Sequence, residues 1–150
     1  MKTLEFKITI NAPNEKVWEV LWEDKTYREW AAVFCEGSYA VSTWEEGDPI
    51  HFLTPEGMGM NSVIFKKEDN EYMAFKHLSE IKDHIVLPVG EFSEGMSGGM
   101  ETYRLVPIDI GTVLEVTMDT EENYIDYFED VFPKALEKIK ELSEKDKATK

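Results

Sequence analysis

The sequence predicts an α+β fold in which a curved antiparallel sheet of about seven strands carries a long C-terminal helix across one face. Three observations predict it. The opening residues alternate apolar and polar side chains, and the stretch from Gly37 to Asp119 breaks into short strand-like segments divided by turn residues. The end of the chain is amphipathic at helical spacing. A chain of 150 residues has the usual size of one domain. A single domain over residues 1–150 is expected, with about 146–150 as a frayed tail.

Leu4, Phe6, Ile8 and Ile10 alternate with Glu5, Lys7, Thr9 and Asn11, the period of a strand with one buried face. Pro13 suits the first position of a helix, where its missing N–H is not needed. Val17, Trp18, Leu21 and Trp22 continue that helix, and Tyr27, Trp30, Ala31 and Phe34 mark a second at i, i+3, i+4, i+7. Strands are then expected at 38–44, 49–53, 60–67, 72–78, 101–106 and 112–118. Turn signals such as Glu46-Gly47-Asp48, Pro55-Glu56-Gly57, Glu68-Asp69-Asn70 and Asp109-Ile110-Gly111 divide them. Residues 80–99 read as a long connection with a glycine-rich part from Gly90 to Gly99, either a binding loop or an exposed insertion. The last helix is expected over 122–144. Tyr124, Ile125, Tyr127, Phe128, Val131, Phe132, Ala135, Leu136, Ile139 and Leu142 give it an unusually broad apolar face. Acidic residues crowd its start and lysines its end, as the helix dipole favours. Pro133 falls opposite the apolar face and predicts a bend toward the core.

Composition narrows the function. Sixteen basic against 31 acidic residues give a net charge of −15. Such a surface repels phosphate backbones and anionic headgroups, so neither nucleic acid nor a membrane is the expected partner; solubility accounts for it equally well. Cys35 is the single cysteine, which excludes an internal disulfide. With no signal-like or membrane-length apolar run, a cytoplasmic location is expected. His51, His77 and His84 lack metal-ligand spacing, and no phosphate-cradling loop, dinucleotide fingerprint or nucleophile elbow occurs. No metal, cofactor or catalytic residue is therefore assigned.

The order strand, two helices, meander, long helix, together with Asn11-Ala12-Pro13, Glu15-Lys16-Val17-Trp18, Trp30, Gly111-Thr112 and Phe132-Pro133-Lys134-Ala135-Leu136, resembles the START-like, or SRPBCC, superfamily. Within it the chain is most similar to the branch named for the activator of heat-shock-protein-90 ATPase homologue. The resemblance spans essentially the whole chain. It implies the helix-grip fold with a deep apolar cavity under the last helix, used across the superfamily for hydrophobic molecules. It also implies a chaperone as an alternative partner.

Alternation selects the residues of such a cavity. Lys76 should face solvent, which turns Met73, Phe75 and His77 inward. The same reasoning places Tyr39 and Val41, Ile50 and Phe52, Tyr103 and Leu105, and Leu114, Val116 and Met118 inward. Glu101 shares the parity of Tyr103. The expected ligand-binding set is Trp30, Phe34, Tyr39, Phe52, Met60, Phe75, His77, Tyr103, Tyr124 and Phe128, mostly aromatic with a few hydroxyl groups. Each of these also suits plain core packing, and His77 suits a buried imidazole satisfied by its neighbours. Met58, Met60, Met96 and Met100 flank the glycine-containing loops and can serve a pliable mouth or ordinary gap filling. The expected function is noncatalytic binding or carriage of a small hydrophobic molecule. A chaperone-activator-like interaction module, or a cyclase- or hydrolase-type enzyme using His77 with a tyrosine, are the alternatives.

Overall fold

The computed structural model describes residues 2–91 and 98–148, with side chains described to 145. Strand β1 (Lys2–Ile10) leads into helices α1 (Asn14–Trp22) and α2 (Asp24–Ala31). Strands β2 (Tyr39–Ser42), β3 (Pro49–Leu53), β4 (Gly59–Glu68), β5 (Tyr72–Lys82), β6 (Ile85–Val86), β7 (Met100–Ile108) and β8 (Gly111–Thr120) follow. A 3₁₀ turn (Glu122–Tyr124) then enters α3 (Ile125–Ala148). The sheet is antiparallel in the order β1-β8-β7-β5-β4-β3-β2, with the two-residue β6 paired to β5. This is the α+β helix-grip arrangement expected, with one short strand more.

Helix α3 and the two short helices cover one face of the sheet. Phe132, Ala135, Leu136, Ile139 and Leu142 of α3 are buried in one core with Val17, Val20 and Leu21 of α1 and with Leu105, Leu114 and Val116. Phe6 stacks on Phe132 with ring centroids 4.9 Å apart, which fastens β1 to α3. Helix α3 runs through Pro133, which is exposed. At the opposite end of the core, the Thr112 hydroxyl lies 2.8 Å from the carbonyl of Ala12 and 2.8 Å from Asn14 Oδ1. Gly111 permits this corner, because a Cβ there would sit 2.2 Å from the Ile10 carbonyl oxygen.

Several details differ from the expectations. The second helix stops at Ala31, so Phe34 lies in the turn beyond it. Strand β5 extends to Lys82 and turns back into β6 through Asp83 and His84, both at positive φ (50° and 65°). That is the backbone of a tight hairpin, which the sequence hides because neither residue is glycine. The long connection is thus partly paired. Leu87 N donates to Glu80 O, Gly90 N to Leu78 O and Glu80 N to Glu91 O. Residues 92–97 of the glycine-rich part, Met96 among them, lie outside the described residues, as do residues 149–150 and the side chains of the rest of the expected frayed tail.

The register also corrects β2. Ala40 stands opposite Phe52 and Val41 opposite His51, so Val41 belongs to the outer face and is 54% exposed rather than inward. Tyr127, counted in the apolar face of α3, is 44% exposed, its hydroxyl directed to the Phe34 carbonyl at 3.4 Å. A wheel covering nearly half the circumference is wider than the seam α3 buries. Between β4 and β5 the pairing slips twice, leaving Phe65 and Leu78 as extra residues. Such bulges bend a strand and increase its twist.

Candidate functional site

The space between the concave face of the sheet, α2 and the first half of α3 is not filled. A cavity of about 280 Å³ lies there. That is close to the lower end of the roughly 300–1,000 Å³ range of small-molecule sites.

Three groups of side chains build its wall. From the sheet come Phe52 of β3, Met60 of β4, Phe75 and His77 of β5, and Glu101 and Tyr103 of β7. From α2 and the turn after it come Tyr27, Trp30 and Phe34. From α3 come Phe128 and Phe132. Tyr39 also lines the cavity from the first position of β2, with the Arg28 guanidinium 5.0 Å from its ring centre. Nine of the ten residues selected from the sequence therefore meet at one cavity. Tyr124 does not: it sits half-buried in the 3₁₀ turn before α3 and is absent from the lining.

The aromatic residues hold one another in place. Phe75, fully buried, meets Phe52 edge-on at 5.1 Å and Trp22 at 5.3 Å, while Trp22 meets Tyr103 at 5.0 Å. Edge-to-face contacts at these separations are favourable because the positive ring edge meets the negative face. Trp22 is nine-tenths buried, and its indole N–H has no hydrogen-bond partner among the described residues.

Polar chemistry gathers at one part of this apolar wall. His77 Nδ1 lies 2.6 Å from Ser62 Oγ, its Nε2 lies 3.2 Å from Glu101 Oε1, and the Tyr103 hydroxyl donates to Glu101 Oε2. The imidazole tautomer with hydrogen on Nε2 satisfies every member: Ser62 donates to Nδ1, and Nε2–H donates to the carboxylate. Burial pushes the Glu101 carboxyl up. The His77 hydrogen bond and charge and the Tyr103 hydrogen bond outweigh burial, and the net is below the ordinary value. Burial, reinforced by the charge of Glu101, raises the hydroxyls of both Tyr103 and Tyr27, so both remain donors.

Ser62 is fully buried and lies outside the cavity lining, so it orients the imidazole and does not face a guest. His77, Glu101 and Tyr103 do face the cavity. The alternation that turned His77 inward also put Glu101 beside Tyr103. Trp22 and Tyr27 were read as helix core, and their helical spacing carries no signal that separates packing from cavity wall. Asp119, another lining carboxylate, accepts hydrogen bonds from Thr3 and from the backbone N–H of Met100 at 2.9 Å. Among the described residues no group of three or more His, Cys, Asp or Glu side chains could hold a metal ion, and no helix is long and apolar enough to cross a membrane.

No family model matches the chain, and no curated protein matches it. Solved structures do. Protein MLL2253 from Mesorhizobium loti superposes with a TM-score of 0.72 at 17% identity, covering 94% of this chain and 96% of that one. ChR145 from Cytophaga hutchinsonii gives 0.69 at 21% identity, covering 99% and 97%. The Aha1 dimer from Colwellia psychrerythraea gives 0.63 at 17% identity, covering 96% and 95%. The chain shares the α+β helix-grip fold of these structures.

Proposed function

We propose that the protein binds or carries a small hydrophobic molecule in the cavity between the sheet and α3. The carrying observation is the 280 Å³ void, walled by aromatic side chains that nonetheless leave it open. A sheet and helices that merely packed would close such a void, because dense interiors tolerate few gaps larger than a water. The start-to-end likeness to START-like structures supports the same reading. The test is native mass spectrometry of the protein purified from its source, followed by thermal shift against a panel of fatty acids, flavonoids and polyketides. A co-purifying molecule or a stabilising ligand is the expected result. A ligand-free protein unmoved by the whole panel overturns it.

The hydrogen-bonded trio of His77, Glu101 and Tyr103 favours a second reading, in which the same cavity runs proton-transfer chemistry of the cyclase or hydrolase kind. Full turnover by His77→Ala on any activity found would remove it. Likeness to the Aha1 dimer favours a third, a chaperone-activator-like interaction module. A pull-down and ATPase assay with the cognate chaperone showing neither binding nor stimulation would end that one.

A further inference from the structure

We propose that the cavity selects hydrophobic guests whose polar end is a protonated amine. This rests on the cavity-binding reading above and names the class of guest.

The charge and the aromatic make-up of the lining carry the inference together. The described lining contains two carboxylates, Glu101 and Asp119, one imidazole, and neither lysine nor arginine. A guest carboxylate would enter with no lysine or arginine to receive it and with Glu101 beside it. A guest ammonium meets the reverse. Glu101 retains 22% exposure of its side chain, and each of its oxygens is engaged by one donor, His77 or Tyr103. A carboxylate accepts about four hydrogen bonds, so acceptor sites remain for an incoming N–H. Phe52, Phe75, Trp30 and Tyr27 belong to the surrounding wall, and aromatic side chains attract cations as well as apolar groups. The protein already uses that attraction at Tyr39, where the Arg28 guanidinium lies 5.0 Å from the ring centre while its Nε contacts Asp24 at 3.0 Å. Asp119 carries as many donors as Glu101, one on each oxygen from Thr3 and the Met100 backbone; Glu101 is the carboxylate set among the rings, directly across the ladder from Phe75.

The test compares three guests with one ring system: 2-naphthylmethylamine, 2-naphthylmethanol and 2-naphthoate, measured by calorimetry near neutral pH at low and high salt. The amine is expected to bind at least about tenfold tighter than the alcohol, with the carboxylate weakest, in keeping with an ion pair inside a poorly hydrated site. The surface charge of −15 attracts any cation, so the same series is run on Glu101→Gln, which barely alters that surface. The variant is expected to lose most of the amine-over-alcohol preference. Naphthoate binding as tightly as the amine, or a preference that survives Glu101→Gln, overturns the inference. Alcohol binding without amine preference overturns this inference alone. Failure of all three to bind overturns the cavity reading with it.

Discussion

His77 and Glu101 meet diagonally across β5 and β7, with Nε2 and Oε1 3.2 Å apart on the cavity wall. The folded protein holds the Glu101 carboxyl below its ordinary value of 4.5. A carboxyl lowered in the folded state stabilises the fold above its unfolded pKa, and that stabilisation is lost as pH falls through the folded value. The urea midpoint of the wild type should therefore exceed that of Glu101→Gln near pH 6, and the gap should shrink once the pH passes below 4.5. At neutral pH the substitution should cost about 1–3 kcal/mol, because buried donors lose a charged acceptor. A gap that stays constant down the whole range would contradict the arrangement.

Phe75 is fully buried and touches Phe52, Trp22 and Tyr103 through ring contacts at 5.1, 5.3 and 6.3 Å. Phe75→Ala should destabilise the fold by about 3–5 kcal/mol, the sum of lost burial and the cavity left behind. The urea midpoint should fall with an unchanged slope. A loss under about 1 kcal/mol would mean that the aromatic cluster is not packed as described.

Gly59 lines the cavity at the first position of β4, opposite Leu53 of β3. A Cβ there would fall 1.8 Å from the Phe52 carbonyl oxygen, a backbone atom that cannot rotate away. Gly59→Ala should therefore cost at least about 2 kcal/mol through forced backbone shifts. Gly47→Ala provides the comparison. Its Cβ would meet nothing within 4 Å, so only the strain of φ +91° applies, about 1 kcal/mol. Equal losses in the two variants, read from chemical denaturation, would remove the claim of contact at Gly59.

Thr112→Val keeps shape and deletes the buried hydroxyl that contacts Ala12 O and Asn14 Oδ1. Whichever of the two oxygens accepts the single hydroxyl hydrogen is then left short of a donor, at a cost of about 1–3 kcal/mol. Hydrogen exchange should report the loss first at the start of α1. Unchanged exchange there would show that the hydroxyl does not tie the start of α1 to β8.

The order of elements was legible because most strands are buried on one side and α3 has a seam. Leu114, Val116 and Met118 on β8 are buried at alternate positions, as their pattern implied. Lys76 at the surface fixed the inward parity of Phe75 and His77. In β2 the run Tyr39-Ala40-Val41-Ser42 carries no alternation, so register alone decides its faces, and Val41 was expected on the wrong one. The extension of β5 through Ser79 and Glu80 was hidden because both are polar yet buried. The cavity residues on strands emerged from parity. On the helices Trp30 was selected but Trp22 and Tyr27 were not, since whether a ring on a buried helix face meets a neighbour or a void depends on tertiary distance.

The paired slips that set Phe65 and Leu78 outside the regular β4–β5 ladder make this wall sensitive to chain length. Over evolutionary time, point substitutions at Phe52, Met60 or Phe75 can retune what the protein accepts while the sheet keeps its curvature. Loss or gain of a single codon at Phe65 would straighten or overbend β4, and at Leu78 the β5 strand that carries His77. Related chains should thus diversify their guests by residue exchange, and change the outline of the chamber through single-residue insertions and deletions at these two places.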